Sequence, residues 1–196
     1  MLKSAHFRRA PTPTSCSTPS THSRGHIRSD PELAETLTLG MARLMRYSLD
    51  AARHRYVPLT QELDAVRDYL AVEGARYGAR LRYEFDVDPA AHQAPVPPMS
   101  IQPLVENAIL HGVGAGQKEG ELRVTASVRD DVLRAEVIDD GPGPGGSAHT
   151  GSATSLADLR ERLDLLYGER ASFRLTPHEP RGSTATLELP YEHTEE

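Results

Sequence analysis

The sequence predicts an α+β chain: a two-layer α/β sandwich whose mixed sheet carries helices on one face, preceded by a helical segment. Three observations predict it. Apolar residues recur at helical spacing in two segments between residues 30 and 79. Leu81, Tyr83, Phe85 and Val87 alternate with Arg82, Glu84 and Asp86, the two-residue period of a half-buried strand. Further strand-like runs then fill the C-terminal half, broken by glycine and proline turns and by two more helical stretches.

Each element has its own justification. Asp30-Pro31-Glu32 reads as an N-cap, a proline at the first helical position and an acid in the first turn. The helix it opens runs through Leu33, Leu37, Met41, Leu44 and Met45 to about Leu49. Thr60 is the expected cap of a second helix, whose Leu63, Val66, Leu70 and Tyr77 share a face and which ends at Gly78. By pattern these two helices lie outside the sandwich and form a hairpin whose apolar faces need cover, from a second copy of the chain. After the Leu81–Val87 strand, Pro95 to Pro98 interrupts. Ser100 is the expected cap of a helix carrying Ile101, Leu104, Val105, Ala108 and Ile109 up to Gly112. Leu122–Val128 and Leu133–Asp139 read as a strand pair turning at Arg129-Asp130-Asp131. A helix from about Leu156 to Tyr167 stops at Gly168, and Phe173–Leu175 and Thr184–Leu189 close the chain as strands.

Composition narrows the class. The 196 residues hold 22 Lys+Arg against 28 Asp+Glu, so the formal charge is −6, which disfavours a nucleic-acid-binding role for the whole chain. No apolar run reaches the roughly 18 residues a bilayer span requires. The one cysteine, Cys16, excludes an internal disulfide or multi-cysteine metal site and suits a reducing, cytoplasmic setting. Residues 1–29 hold five basic side chains, no acid and a Pro-Thr-Ser tract, and read as a disordered tail.

Four segments suit ligand chemistry. In Gln102-Pro103-Leu104-Val105-Glu106-Asn107-Ala108-Ile109-Leu110-His111-Gly112, Asn107 and His111 are four apart and point from one helix face, with Glu106 offset beside them. A carboxamide oxygen is a hard ligand of the kind Mg²⁺ takes while bridging substrate phosphates. In Val137-Ile138-Asp139-Asp140-Gly141-Pro142-Gly143, a buried strand ends on a carboxylate able to accept from the exocyclic amine of adenine, and glycines follow that let a ligand approach the backbone. The segment from Gly145 to Arg162 is a loop rich in Gly, Ser, Ala and Thr that opens the Leu156 helix, and a helix N-terminus favours phosphate. Arg181-Gly182-Ser183-Thr184 is a glycine turn feeding the last strand. Taken singly, each is also what a solvated helix face or a tight turn looks like.

In this order and spacing they are specific. The chain from about Asp30 to Pro190 resembles the catalytic core of sensor histidine kinases of the LytS-like branch, whose ATP-binding fold is shared with DNA gyrase, the ninety-kilodalton heat-shock chaperone and MutL. The Gln102–Gly112 segment is similar to the family's N box. Leu44-Met45-Arg46-Tyr47-Ser48-Leu49, Val57-Pro58-Leu59 and Tyr69-Leu70 resemble the stretch after its phosphoacceptor helix. Asp139–Gly143, Leu159-Arg160-Glu161-Arg162-Leu163 with Tyr167-Gly168, and Gly182-Ser183-Thr184 resemble its later boxes.

The resemblance implies roles. ATP and Mg²⁺ are the ligands. Asn107 coordinates the metal, Glu106 supports it or its waters as a catalytic partner, and His111 approaches the phosphates. Asp139 holds adenine, and Gly141, Gly143, Gly151, Ser155, Leu156, Arg162 and Thr184 enclose the nucleotide. It also implies a homodimer, a response regulator as partner, a dimerisation and linker segment over residues 30–79 and an ATP-binding domain over residues 80–192. Relatives often carry a membrane sensor domain ahead of this core, and no membrane segment is seen in this chain.

Two departures qualify the resemblance. Where the family's second glycine box reads Gly-x-Gly-Leu, this chain has Ala153-Thr154-Ser155-Leu156. Where the family places its phosphoacceptor box, this chain has Pro13-Thr-Ser-Cys-Ser-Thr-Pro-Ser-Thr21. Back-translated and read from the third base, those codons become NAC NTC NTG YTC NAC NCC NTC NAC, which permit His-Phe-Leu-Phe-Asn-Ala-Leu-Asn. The family's box is thus compatible with the next frame, as compensating frameshifts over about residues 11–25 would leave it. His6, His22 and His26 match no family position. Three readings compete: a histidine kinase core, a catalytically silent nucleotide-binding and dimerisation module, and another ATPase of the same fold.

Overall fold

The computed structural model of the chain describes residues 31–51, 53–111, 119–143 and 151–191. The chain divides into two compact units, residues 1–35 and 36–196, and the second carries the architecture below. The expected tail, the Asp30 cap, Gly112 and the Gly145–Thr150 loop fall outside the described residues.

In chain order the elements are α1 (Pro31–Ala51), β1 (Val57–Pro58), α2 (Leu59–Tyr77), β2 (Leu81–Val87), β3 (Pro95–Val96), α3 (Gln102–His111), β4 (Gly120–Arg129), β5 (Val132–Asp139), α4 (Gly151–Tyr167), β6 (Ser172–Pro177) and β7 (Ser183–Pro190). Five strands form one sheet in the order β2-β4-β5-β7-β6. The β2–β4 pair is parallel and the others antiparallel, so the sheet is mixed and the fold is α+β, as the periodicities predict. Asp130 and Asp131 sit at φ 50° and 56°, the left-handed pair that lets a two-residue turn match the twist of β4 and β5. A separate antiparallel pair, β1 with β3, is built from the proline-rich stretch that reads only as an interruption in sequence.

The alternation of the strands decides which face is covered. Leu133, Ala135, Val137 and Asp139 of β5 and Ser183, Ala185, Leu187 and Leu189 of β7 are buried on the helical side. The opposite face carries Arg134, Glu136 and Glu188, joined as ion pairs, the arginine exposed and the two glutamates half-buried. The main core unites these strand residues with Leu104, Val105, Ala108 and Ile109 of α3 and Leu156, Leu159 and Leu163 of α4.

The reading that both leading helices lie outside the sandwich is corrected for α2. Its Leu59, Leu63, Val66 and Leu70 form one apolar stripe, and the chain's own α3 and sheet cover it, so all four belong to the main core. Helix α1 contributes Tyr47 and Ala51 to a small second cluster with Ala65, edged by Leu44 and Met99. A bidentate ion pair from Arg43 to Asp68, at 2.7 and 2.5 Å, also joins α1 to α2.

Neither expected serine or threonine cap operates. Helix α2 starts at Leu59, and the Leu59 and Thr60 amides donate to the carbonyls of Ala94 and His92. The Ser100 hydroxyl donates to the Pro97 carbonyl, and the Ser100 and Ile101 amides just before α3 donate to Glu62 of α2.

Candidate functional site

The site is built where β5 runs out beneath α3. Strand parity turns Asp139 toward the helical layer, where its side chain is 5% exposed. A carboxylate there needs donors. One oxygen accepts the Gly141 amide at 2.8 Å, and Ser183, its register partner on β7, adds a hydroxyl. Burial pushes the Asp139 carboxyl above its usual range, against the pull of Gly141, Ser183 and the charge of His111. A carboxylate offers about four acceptor positions, so two donors leave capacity for an amino group.

Two glycines make this corner compact. Gly182 has φ +117°, and a Cβ there would overlap the carbonyl group of Asp139. Gly143, at φ +87°, would place a Cβ 3.3 Å from the Gly182 carbonyl. Both are backbone-to-backbone approaches that side chains exclude.

Helix α3 crosses the same face of the sheet. Asn107 is 6% exposed. His111, one turn on, lies close enough for its charge to act on Asp139. The structure therefore brings Asn107, His111, Asp139 and Gly141 to one side of the sheet.

Glu106 turns elsewhere, as its 100° offset on the helix requires. It accepts from Gln102 Nε2 at 2.8 Å and faces Tyr69 and Glu73 of α2. Burial raises the Tyr69 and Glu73 pKa values, and the charge of Glu106 raises both further. The Gln102 Oε1 atom is buried without a hydrogen-bond partner among the described residues.

The remaining predicted residues separate. Gly141 is buried and Gly143 approaches the last glycine turn. Gly151 opens α4, and Ser155 is half-buried in its second turn. The side chains of residues 151–154, and so the first half of the substituted second glycine box, lie outside what the structure describes. Leu156 packs in the core. Thr184 pairs with Ile138 and faces the far side of the sheet, where its hydroxyl meets His178 Nδ1 at 3.2 Å. The two-residue period thus gives the place beside Asp139 to Ser183. Arg162 does not reach the β5 end. Its Nη1 donates to the Pro98 carbonyl at 2.6 Å and its Nη2 to that of Met99 at 2.9 Å.

Sequence reasoning missed Ser183, although the Asp139–Ser183 register would have found it. It also missed Glu62. The available signal was an acid inside the Leu59–Leu63–Val66 stripe, where a buried carboxylate needs partners.

Chemically, a buried acceptor at a strand end suits the amino edge of a purine. The carboxamide of a buried asparagine one helix away suits a hard cation, and among the described residues no His, Cys, Asp and Glu cluster offers an alternative metal site.

Comparison with known proteins agrees with this architecture. A family model described as histidine kinase matches residues 21–81. The sensor protein LytS of Enterococcus faecalis is 33% identical over 180 residues, covering 86% of this chain and 31% of that protein. LytS of Staphylococcus saprophyticus is 34% identical over 181 residues, covering 87% and 30%. This chain therefore spans about a third of the length of the curated relatives it matches. Among solved structures, the catalytic domain of histidine kinase ThkA superposes with a TM-score of 0.55 at 16% identity, covering 69% of this chain and 94% of that one, a likeness of fold. On kinship of sequence and of fold together, the chain belongs to the sensor histidine kinases, as a core of the LytS-like branch.

Proposed function

We propose that this chain binds Mg-ATP between α3 and the end of β5, and that its γ-phosphoryl group passes to a histidine and then to an aspartate of a response regulator. In that transfer the bond from the γ-phosphorus to the ADP oxygen breaks and a phosphorus–nitrogen bond forms. The observation that carries the reading is the Asp139 carboxylate, buried at a strand end with acceptor capacity to spare, on the same sheet face as Asn107 and within reach of the His111 charge. Asp139 orients the purine, the Asn107 carboxamide is the protein ligand of Mg²⁺, and His111 faces the phosphates. The metal, when bound, neutralises phosphate charge. The chain's own contribution is placement. Exposed apolar side chains at positions 41, 45 and 49 of α1 support a homodimer through that helix.

Calorimetric titration with Mg-ATP tests the site. The wild-type chain binds, Asn107→Ala weakens Mg-ATP at least tenfold, and Asp139→Asn weakens ATP with and without metal. Equal binding by all three proteins would remove both roles.

A second reading has its own support: the family match begins at residue 21, where the Pro13–Thr21 tract ends. On that reading the chain binds nucleotide yet labels no histidine of its own and acts as a silent module. Radiolabelled ATP separates the two, since only the kinase incorporates phosphate. Sequencing the gene across residues 11–25 tests the frameshift directly, and codons whose third bases do not spell the box would end it.

A further inference from the structure

Glu62 lies at the convergence of three helices. It is fully buried on α2, and four donors meet its carboxylate. The Met99 amide approaches Oε1 at 2.5 Å, and the Ser100 and Ile101 amides approach Oε2 at 2.9 Å each. The fourth donor is the hydroxyl of Tyr47, a buried residue of α1. Glu62 therefore caps the turn that enters α3, taking the amide of Ile101 next to the helix's first residue and those of the two residues before it, from about forty residues upstream and with its charge near the positive end of the helix dipole.

The turn so capped is also held from the other side. Met99 has φ +59°, an uncommon conformation for a residue with a side chain. Its amide is fixed by Glu62, its carbonyl by Arg162 of α4, and its side chain packs at the cluster of Tyr47, Ala51 and Ala65. A second tie runs parallel to this one: the Tyr56 ring, between α1 and α2, lies 6.0 Å from that of Tyr167 at the end of α4. Nothing in the shape of an isolated nucleotide pocket requires α1 to contact the cap of the helix that bears Asn107. Yet it does.

We infer that Glu62 is a positioning residue for the nucleotide site, setting the start of α3 and hence Asn107, and that Tyr47 makes this setting responsive to α1. The inference rests on the Mg-ATP reading above and deepens it. A shift of α1 that withdraws the Tyr47 hydroxyl removes one of four donors and unpacks the strained Met99 turn. Asn107, less than two turns along α3, then loses register with the β5 end, while Asp139 keeps its own partners. Movement of the first helix is thereby passed to the metal end of the site and not to the purine end.

The test uses the 196-residue chain with Tyr47→Phe, which keeps the ring and removes only the hydroxyl, and Glu62→Gln, which keeps the volume and removes the charge. Three quantities are measured: the Kd for Mg-ATP, the Kd for adenosine as a probe of the Asp139 end alone, and hydrogen exchange of the amides at residues 99–101. Tyr47→Phe is expected to weaken Mg-ATP three- to tenfold, leave adenosine within twofold, and speed exchange at 99–101 by tenfold or more. Glu62→Gln moves the same quantities further, and if it does not fold, Tyr47→Phe decides alone. Unchanged exchange and Mg-ATP affinity in Tyr47→Phe overturns the inference, as does equal weakening of both ligands, which a merely structural role would give. A wild-type chain that fails to bind Mg-ATP overturns the functional reading and this one with it. Wild-type binding with an indifferent Tyr47→Phe overturns this one only.

Discussion

Replacing Gly182 with alanine tests the geometry of the purine end through a single methyl group. At φ +117° the residue lies outside the regions open to side chains, and its Cα faces the backbone of the neighbouring strand. A Cβ would overlap the Asp139 carbonyl oxygen and lie 2.8 Å from the carbonyl carbon and 3.0 Å from Asp140 Cα. Unbonded carbons rest at about 3.5–4.0 Å, so β5 and the turn before β7 must part by about 1 Å. The three nearest atoms are all backbone, so they cannot give way as the end of a flexible side chain would. The backbone conformation costs about 1–3 kcal/mol and overpacking a similar amount, so a loss of about 3 kcal/mol or more is expected. In a folded chain of this size that is a fall of roughly 6–12 °C in Tm. Thermal unfolding by circular dichroism reads it, with Gly74→Ala as the control. Gly74 lies inside α2, and a Cβ added there would meet nothing within 4 Å, so that change should stabilise by about 0.5–1 kcal/mol. Because the displaced atoms carry Asp139, Gly182→Ala should also lower adenosine affinity. A Tm within 2 °C of wild type, with adenosine binding intact, would refute the assigned approach of the two strands.

Other changes probe other parts of the site. Leu156→Ala should cost about 2–4 kcal/mol in thermal unfolding and leave adenosine affinity unchanged, since its side chain packs in the core; a selective loss of nucleotide would return it to the pocket. Adenosine affinity should fall on acidification from a pH above the ordinary carboxyl value of 3.8, because burial raises the Asp139 pKa and the protonated form loses acceptor capacity. For the fold the sign is opposite: a carboxyl with a raised folded pKa stabilises below its unfolded value, and that contribution disappears as pH rises through the folded one. Asp139→Asn should flatten both profiles, and a step surviving in the variant would assign it to another group. Met45→Glu with Leu49→Glu places charges on α1 side chains that are 63% and 73% exposed, so it should convert a dimer to a monomer in sedimentation while moving Tm little; an unchanged sedimentation coefficient argues against α1 as the interface.

What the sequence reveals of this protein is what a short window can hold. Strand β2 alternates in the sequence and is found at Leu81–Val87, and the Asp130-Asp131 turn and the glycines ending α2 and α4 are equally local. Asp139 and Asn107 were legible for the same reason, since strand parity and helical spacing turn each toward one layer. For Leu156, Thr184 and Arg162, motif membership gives a position along the chain and no direction for the side chain. Parity settles Thr184 against Ser183 once the β5–β7 register is known, and register is a property of two strands together.

The caps show the limit most plainly. Ser100 stands where a local rule puts a capping hydroxyl, yet that hydroxyl donates to Pro97, and the Met99, Ser100 and Ile101 amides leading into α3 go to Glu62. A serine can cap only the helix it precedes. A carboxylate from another helix fixes where the two helices stand relative to each other, and it carries a charge that its surroundings must keep satisfied. Burial raises the Glu62 pKa, and the amides of Ile101, Met99 and Ser100 and the charge of Arg162 act against it. Such a cap is costly to isolate and therefore sensitive to each donor it has. A local cap would have made α3 indifferent to α1, whereas the cap this chain uses makes the placement of Asn107 depend on both Tyr47 and Arg162.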